Sequence, residues 1–486
     1  MANNENRRLS TGVPDLDEIL DGGLLPSQAY LVRGDTGTGK TTLGLHFLQE
    51  GVRQGEAVLL ISLMRGEAEI RRHAASLGMS LDGVTFLDVS PTPELFMELQ
   101  SYSVFNPSDV ERSPLSQQIS GVLARVHPRR IFVDALTQLR YVATDEYDFR
   151  RLSLSLLRFL TGRDATLLVT SETMESASDA SLKFLCDGVI DLCMSSYGRT
   201  VQVTKYVGSG FRFGTHSMHL DTTGMVVFPR LEAEQPTIPF TGELISSGIP
   251  ALDEMLHGGI ERGLSTIITG PSGSGKTTIG MQFVKETATR GERSAIFIYE
   301  EAYQPMVQRM TELGIPMQTM IAEDTLAVIP VQPLRYLPDE FTALVRAEVE
   351  ERHTRVVVLD SIRGYQLTLH GEDLTSHLYT LIKYLAGQGV TVILLNDVEM
   401  ITGDFRATEV GISYIADNIL FLRYIEVRGA LQKAIGVLKK RMSGFEKTLR
   451  EIDITEHGIE IGPPLLGLRG ILLGVPEWVN PDKAGE

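Results

Sequence analysis

The feature that most constrains this chain is that it contains the same passage twice. The segment beginning at Ser10 reads STGVPDLDEILDGG and the one beginning at Ser246 reads SSGIPALDEMLHGG, identical at nine of fourteen positions. Each is followed by an apolar run and a glycine-rich loop, YLVRGDTGTGKTT and TIITGPSGSGKTT. The loop lysines, Lys40 and Lys276, lie 236 residues apart, the same spacing as the two leading serines. One offset held from leader to loop marks a tandem duplication. The 486 residues also exceed what a single core organises, whereas each half is long enough for its own. The expected division is a first domain at 1–232, a linker at 233–243 containing Pro236 and Pro239, a second domain at 244–462 and a tail at 463–486.

Within each copy, short β-rich runs alternate with amphipathic helical stretches. AVLLISL, RRIFVDAL and ATLLVTSE in the first correspond to SAIFIYE, RVVVLDS and VTVILLND in the second. Runs this continuously apolar are buried on both faces, which predicts an α/β fold with a mainly parallel central sheet covered by helices. RTVQVTKYV and LREIDITEHGIEI predict an added antiparallel stretch late in each copy.

The loops carry the chemistry. GDTGTGKT, from Gly34 to Thr41, and GPSGSGKT, from Gly270 to Thr277, both satisfy the Walker A pattern between a strand and a helix. Glycines let backbone N–H groups curl around phosphate oxygens at a helix N-terminus, the lysine supplies positive charge, and the threonine hydroxyl meets Mg²⁺. The expected nucleotide contacts are Gly37, Thr38, Gly39, Lys40, Thr41 and Thr42 in one copy. In the other they are Ser272, Gly273, Ser274, Gly275, Lys276, Thr277 and Thr278. The bland alternative, a glycine turn that binds nothing, does not account for two complete motifs in matching contexts. A second metal partner is expected at the end of a buried strand, where parallel sheets bind ligands, and Asp134 and Asp360 end IFVD and VVVLD. ATP and Mg²⁺ are therefore the expected ligands, with Thr41 and Asp134, and Thr277 and Asp360, on the metal.

The copies differ at the next requirement. Phosphoryl transfer needs a carboxylate to orient or deprotonate the nucleophile. Copy two offers Glu300 and Glu301 after SAIFIY, and copy one has Met64 and Arg65 there, neither of which accepts a proton. Glu67, two residues further on, is either a substitute or a first-turn helix acid.

No apolar run approaches the ~20 residues of a membrane span, and MANNENRRLS lacks the apolar stretch of a secretory signal. Cys186 and Cys193, the only cysteines, have neither zinc nor redox spacing. The expected compartment is the cytoplasm. A net charge of −17, without a basic stretch interleaved with aromatics, weighs against a DNA recombinase or helicase and makes a nucleic-acid partner unexpected.

Twin P-loop domains, the EE pair, Lys439-Lys440-Arg441 and the stretch YIEVRGALQKAIGVLKKR at 424–441 together resemble the KaiC family, the ATPase and autokinase of the cyanobacterial clock. The ending LRGILLGVP resembles the wider bacterial and archaeal KaiC-like group. The resemblance implies tandem RecA-like domains in a two-tiered homohexamer with ATP at subunit interfaces. It implies Glu300 and Glu301 near the γ-phosphate, Glu300 also beside the metal, and Lys439 and Arg441 reaching a neighbouring subunit's nucleotide. Lys276 would hold phosphate in the same reaction. Copy one retains the lysine as Lys205 but has Val207 at the arginine position. The family's adjacent Ser-Thr phosphoacceptor pair falls on Ser413 and Tyr414, with Thr408 upstream. The implied activity is an ATPase and serine/threonine autokinase working in the second domain, the first binding ATP mainly for ring assembly. A reading of a different class is a nucleotide-switched hexameric scaffold with little turnover. A KaiB-like or sensor-kinase protein would be the partner, with the tail as its docking segment.

Overall fold

The computed structural model describes residues 8–89, 114–141, 143–173, 182–232, 238–398, 412–455, 458–471 and 477–478. The chain divides into two compact units, Met1–Arg230 and Leu231–Glu486.

The first unit is built on strands β1 (Ala29–Gly34), β2 (Val58–Ser62), β3 (Thr85–Asp88), β4 (Arg130–Asp134), β5 (Thr166–Glu172), β6 (Gly188–Met194), β7 (Arg199–Tyr206), β8 (His216–Asp221) and β9 (Gly224–Phe228). They form one nine-stranded sheet in the order β3-β2-β4-β5-β1-β6-β7-β8-β9. Pairing is parallel from β3 to β6 and antiparallel from β6 to β9. The inner parallel strands β1, β2, β4 and β5 are buried on both faces, which is why their sequences read as unbroken apolar runs. Along β4, Phe132 packs into a cluster on one face while Ile131 and Val133 pack into a separate cluster on the other.

The second unit repeats this plan. A two-residue pair, β10 (Leu244–Ile245) and β11 (Ile260–Glu261), precedes β12 (Ser265–Gly270), β13 (Ser294–Ile298), β14 (Leu326–Pro330), β15 (Val356–Asp360), β16 (Thr391–Asp397), β17 (Asn418–Val427), β18 (Ala430–Lys440), β19 (Arg450–Thr455) and β20 (Gly458–Pro464). The large sheet runs β14-β13-β15-β16-β12-β17-β18-β19-β20, the same order as in the first unit. Along β15, Val356 and Val358 face one core cluster, and Val357 and Leu359 the other. The expected added antiparallel stretches are β7–β9 and β18–β20. Each unit is a RecA-like α/β domain.

The repeated leader has a structural role. Asp17 accepts hydrogen bonds from the Ser10 and Thr11 hydroxyls at 2.5 and 2.7 Å, and Asp253 from Ser246 and Ser247 at 2.5 and 2.8 Å. A carboxylate that ties the entering chain to a short helix explains the invariant spacing between copies. In the linker, Ile238 donates its N–H to the Gly387 carbonyl. β20 runs through Pro464, and Leu465, Leu468 and Ile471 pack against Ile425 and Ala434. The start of the tail thus belongs to the second unit's core. No helix among the described residues is long and apolar enough to cross a membrane.

Candidate functional site

Each phosphate loop leaves the C-terminal end of the strand inside the sheet, β1 or β12, and enters a fourteen-residue helix, Lys40–Arg53 or Lys276–Thr289. The turn depends on glycine. Gly37 and Gly39 have φ of +83° and +105°, and Gly273 and Gly275 +74° and +107°, the left-handed region that side chains disfavour. A Cβ on Gly275 would overlap Ile454 of β19.

In both units the threonine after the loop lysine donates to the strand-end aspartate: Thr41 Oγ1 to Asp134 Oδ2 at 2.9 Å, and Thr277 Oγ1 to Asp360 Oδ2 at 2.8 Å. The expected metal pairs are thus assembled from residues more than 80 positions apart. Asp134 is steadied by Thr170 at 2.5 Å. Burial pushes the Asp360 carboxyl up to about 6, with Asp397 and Glu301 adding to the effect and the Thr277 hydrogen bond and Lys276 opposing it. A buried carboxylate short of positive charge, facing a hydroxyl and a glycine cradle, is a donor set that fits a divalent cation carrying phosphate oxygens.

The second unit's loop borders a cavity of about 560 Å³, lined by Ser272, Gly273, Gly275, Lys276, Thr277 and Thr278 together with Glu300, Glu301 and Asp360. The first unit's cavity is about 200 Å³, lined by Gly37, Gly39, Lys40, Thr41 and Thr42 with Met64, Arg65 and Asp134. Met64 and Arg65 therefore do take the places of the two glutamates. Glu301 is engaged by Arg309 at 2.7 Å, whereas Glu300 is exposed and has no polar partner among the described residues. Glu67 opens the helix Glu67–Ser76, pairs with Arg71 at 2.8 Å and does not line the first cavity, which fits a helix acid.

Two expected contacts are placed differently. Thr38 and Ser274 are buried beneath their loops and line neither cavity. The Thr38 hydroxyl donates to the Asp35 carbonyl at 2.8 Å. The fifth motif position shapes the turn here, because the left-handed glycines on either side turn its side chain inward.

Lys439 and Arg441 do not line their own chain's cavity. Lys439 Nζ donates to the carbonyls of Ser413 and Ala416 at 3.2 and 2.6 Å, and Arg441 pairs with Asp417 at 3.0 Å. Burial lowers the Lys439 pKa, with Arg441 adding to it. In the first unit Lys205 likewise donates to the carbonyls of Lys183 and Cys186. Sheet register makes Lys205 and Lys439 equivalent: they face Val189 and Ile419, beside matching irregularities. The position two residues on is Val207 in one unit and Arg441 in the other. Ser413 is half-buried in the turn Ile412–Tyr414, Tyr414 is 61% exposed, and neither lines the cavity. Thr408 lies outside the described residues.

Sequence reasoning missed two pairs of residues. Asp397 and Glu172 end the strands beside the loop strands and stand in register with Gly270 and Gly34. Both line their cavities. The acid ending each of VTVILLND and ATLLVTSE was the available signal. Lys433 of β18 lines the second cavity, and the equivalent Arg199 of β7 donates to the Gly37 carbonyl at 3.1 Å. Only the hairpin register, Tyr424 opposite Lys433 and Met194 opposite Arg199, brings these cations to the loops.

Two RecA-like sheets, each with a P-loop, a threonine–aspartate pair and acids at neighbouring strand ends, define a tandem P-loop ATPase that binds ATP. The family model described as the KaiC ATPase matches residues 9–232 and 245–465, and the chain belongs to that family. It is similar to the circadian clock oscillator protein KaiC of Parasynechococcus marenigrum (strain WH8102), at 27% identity covering 99% of this chain and 95% of that protein. It is also similar to the protein of the same name from Prochlorococcus marinus (strain MIT 9313), at 27% identity covering 98% of this chain and 97% of that protein.

Proposed function

We propose that this protein is a Mg·ATP-dependent ATPase and serine autokinase whose chemistry is concentrated in the second unit, while the first holds ATP mainly for ring assembly. One observation carries this reading: the second cavity contains a carboxylate, Glu300, unpaired among the described residues, where the first contains Met64. Only one of two similar phosphate cradles has a group at this position able to take a proton from the nucleophile.

In the proposed reaction the backbone of Gly273 and Gly275 and the Lys276 ammonium hold the triphosphate. Mg²⁺, held by Thr277 and Asp360 with Glu300 nearby, would neutralise charge on the transferring phosphate. Glu300 orients the attacking oxygen and accepts its proton. That oxygen, from water or the Ser413 hydroxyl, bonds to the γ-phosphorus as the bond to the β-phosphate oxygen breaks, releasing ADP. Glu301, paired with Arg309, positions the loop that carries Glu300. Ser413 and Arg441 lie off their own chain's cavity, so both would act across an interface of a homohexamer. Arg441 and Lys439 would stabilise charge there. Tyr414 is the weaker acceptor, because its ring carries the hydroxyl further from the backbone. A KaiB-like or sensor-kinase protein would read the resulting state in the cytoplasm.

Transfer of γ-labelled phosphate from ATP tests the reading. Label is expected to fall with Glu300→Gln and with Ser413→Ala, and to survive replacement of Met64. Persisting label in Ser413→Ala overturns that acceptor. Nucleotide-dependent partner binding with negligible turnover would favour the scaffold.

A further inference from the structure

A lysine ammonium has three N–H donors. In the second unit all three of Lys276 are committed: to the Gly270 and Pro271 carbonyls, each at 2.9 Å, and to Asp397 Oδ1 at 2.6 Å. In the first unit Lys40 donates to the Gly34 and Asp35 carbonyls at 2.6 and 2.8 Å and has no ion pair among the described residues, leaving one donor uncommitted. The difference arises at one register position. Asp397 and Glu172 both stand opposite the first glycine of their loops, but only the aspartate comes within ion-pair distance of its lysine, Glu172 acting on Lys40 from further away.

A phosphate oxygen can engage Lys276 only by displacing one of its three acceptors. The two carbonyls belong to the loop itself, so the displaceable one is the Asp397 carboxylate, on another strand. Asp397 lines the cavity and is partly exposed, so it can swing away and return. From this geometry we infer that Asp397 is a positioning residue for nucleotide exchange. It competes with phosphate for Lys276 and recaptures the ammonium as nucleotide departs, so the second site exchanges nucleotide faster than the first. The inference rests on nucleotide binding at the second P-loop as proposed above.

The test is the release of a fluorescent ATP analogue from the full-length protein, chased with excess ATP. The wild-type chain should release it in two phases. Asp397→Asn keeps the shape but removes the charge, and should slow the fast phase at least about tenfold, the scale set by a hydrogen bond to a charged group, leaving the slow phase unchanged. Asp397→Glu, which copies the first unit, should slow it similarly and guards against a merely misfolded Asn variant. An unchanged fast phase in both variants, or equal slowing of both phases, overturns the inference. If instead Lys276→Ala leaves the wild-type two-phase release intact, binding at the second P-loop itself fails.

Discussion

The left-handed glycines of the two phosphate loops hold nearly the same backbone angle, φ differing by 9° between Gly37 and Gly273 and by 2° between Gly39 and Gly275. Their threonine–aspartate pairs differ by 0.1 Å. The side chains arriving from other strands differ much more. One site receives Met64, Arg65 and Glu172, the other Glu300, Glu301 and Asp397. The cradle is set by glycine conformations and strand endings, which tolerate little change. The side chains that differ sit on loop tips and strand ends, where a substitution costs the fold little. A duplicated domain can thus keep its binding scaffold while the side chains around it diverge.

The largest test of this division is catalytic. Glu300→Gln should lower ATP turnover by about 10²- to 10⁴-fold, the range for removing a general base, while Met64→Ala should leave turnover within about twofold. A large loss from Met64→Ala would place chemistry in the first unit. The next test is packing beneath the loops. A Cβ on Gly44 would overlap the Phe132 ring, so Gly44→Ala should destabilise the first unit by about 1–3 kcal/mol. It should be read as faster hydrogen exchange in the helix Lys40–Arg53.

A third test uses acid. His46, on that helix, accepts the Met225 N–H at 2.9 Å, and burial pushes its pKa from the ordinary 6.5 to about 4. The folded state holds this imidazole neutral, so stability is full above pH 6.5 and is lost as pH falls towards 4. By pH 5 the loss should be about 2 kcal/mol, seen as selective loss of protection in the first unit. The equivalent residue in the second unit is Gln282, which does not titrate, and His46→Gln should abolish the acid effect. The smallest effect has the opposite sign. A Cβ on Gly280 would sit 3.4 Å from Leu395, an ordinary contact, so Gly280→Ala should stabilise the second unit by up to about 1 kcal/mol. Equal responses of Gly44→Ala and Gly280→Ala would show that the two helices are packed alike after all.

Local features of the site were legible in the sequence. The P-loops, the Asp134 and Asp360 strand endings and the contrast between Glu300 and Met64 lie within short stretches whose chemistry depends on neighbouring residues. Lys276–Asp397 was not legible, because a parallel sheet sets side by side residues over a hundred positions apart, and no local pattern says which strand flanks the loop strand; Lys433 was not, because it depends on the register of an antiparallel hairpin. The inward turn of the Thr38 and Ser274 side chains was hidden for a related reason. A motif gives residue identities but not which way each side chain turns. The strand order likewise needed coordinates, although the apolar runs already defined the layers.

Lys439 carries a consequence for anyone substituting it. Its ammonium staples the turn that bears Ser413, as Lys205 staples the matching turn in the first unit. Replacing Lys439 with alanine would therefore loosen the turn of the proposed acceptor as well as remove the cation proposed to reach an adjoining subunit. Lost phosphorylation in that variant would have two origins that one assay cannot separate. Arg441, whose one ion pair among the described residues is with Asp417 and which is half open to solvent, is the cleaner probe of the proposed contribution across an interface.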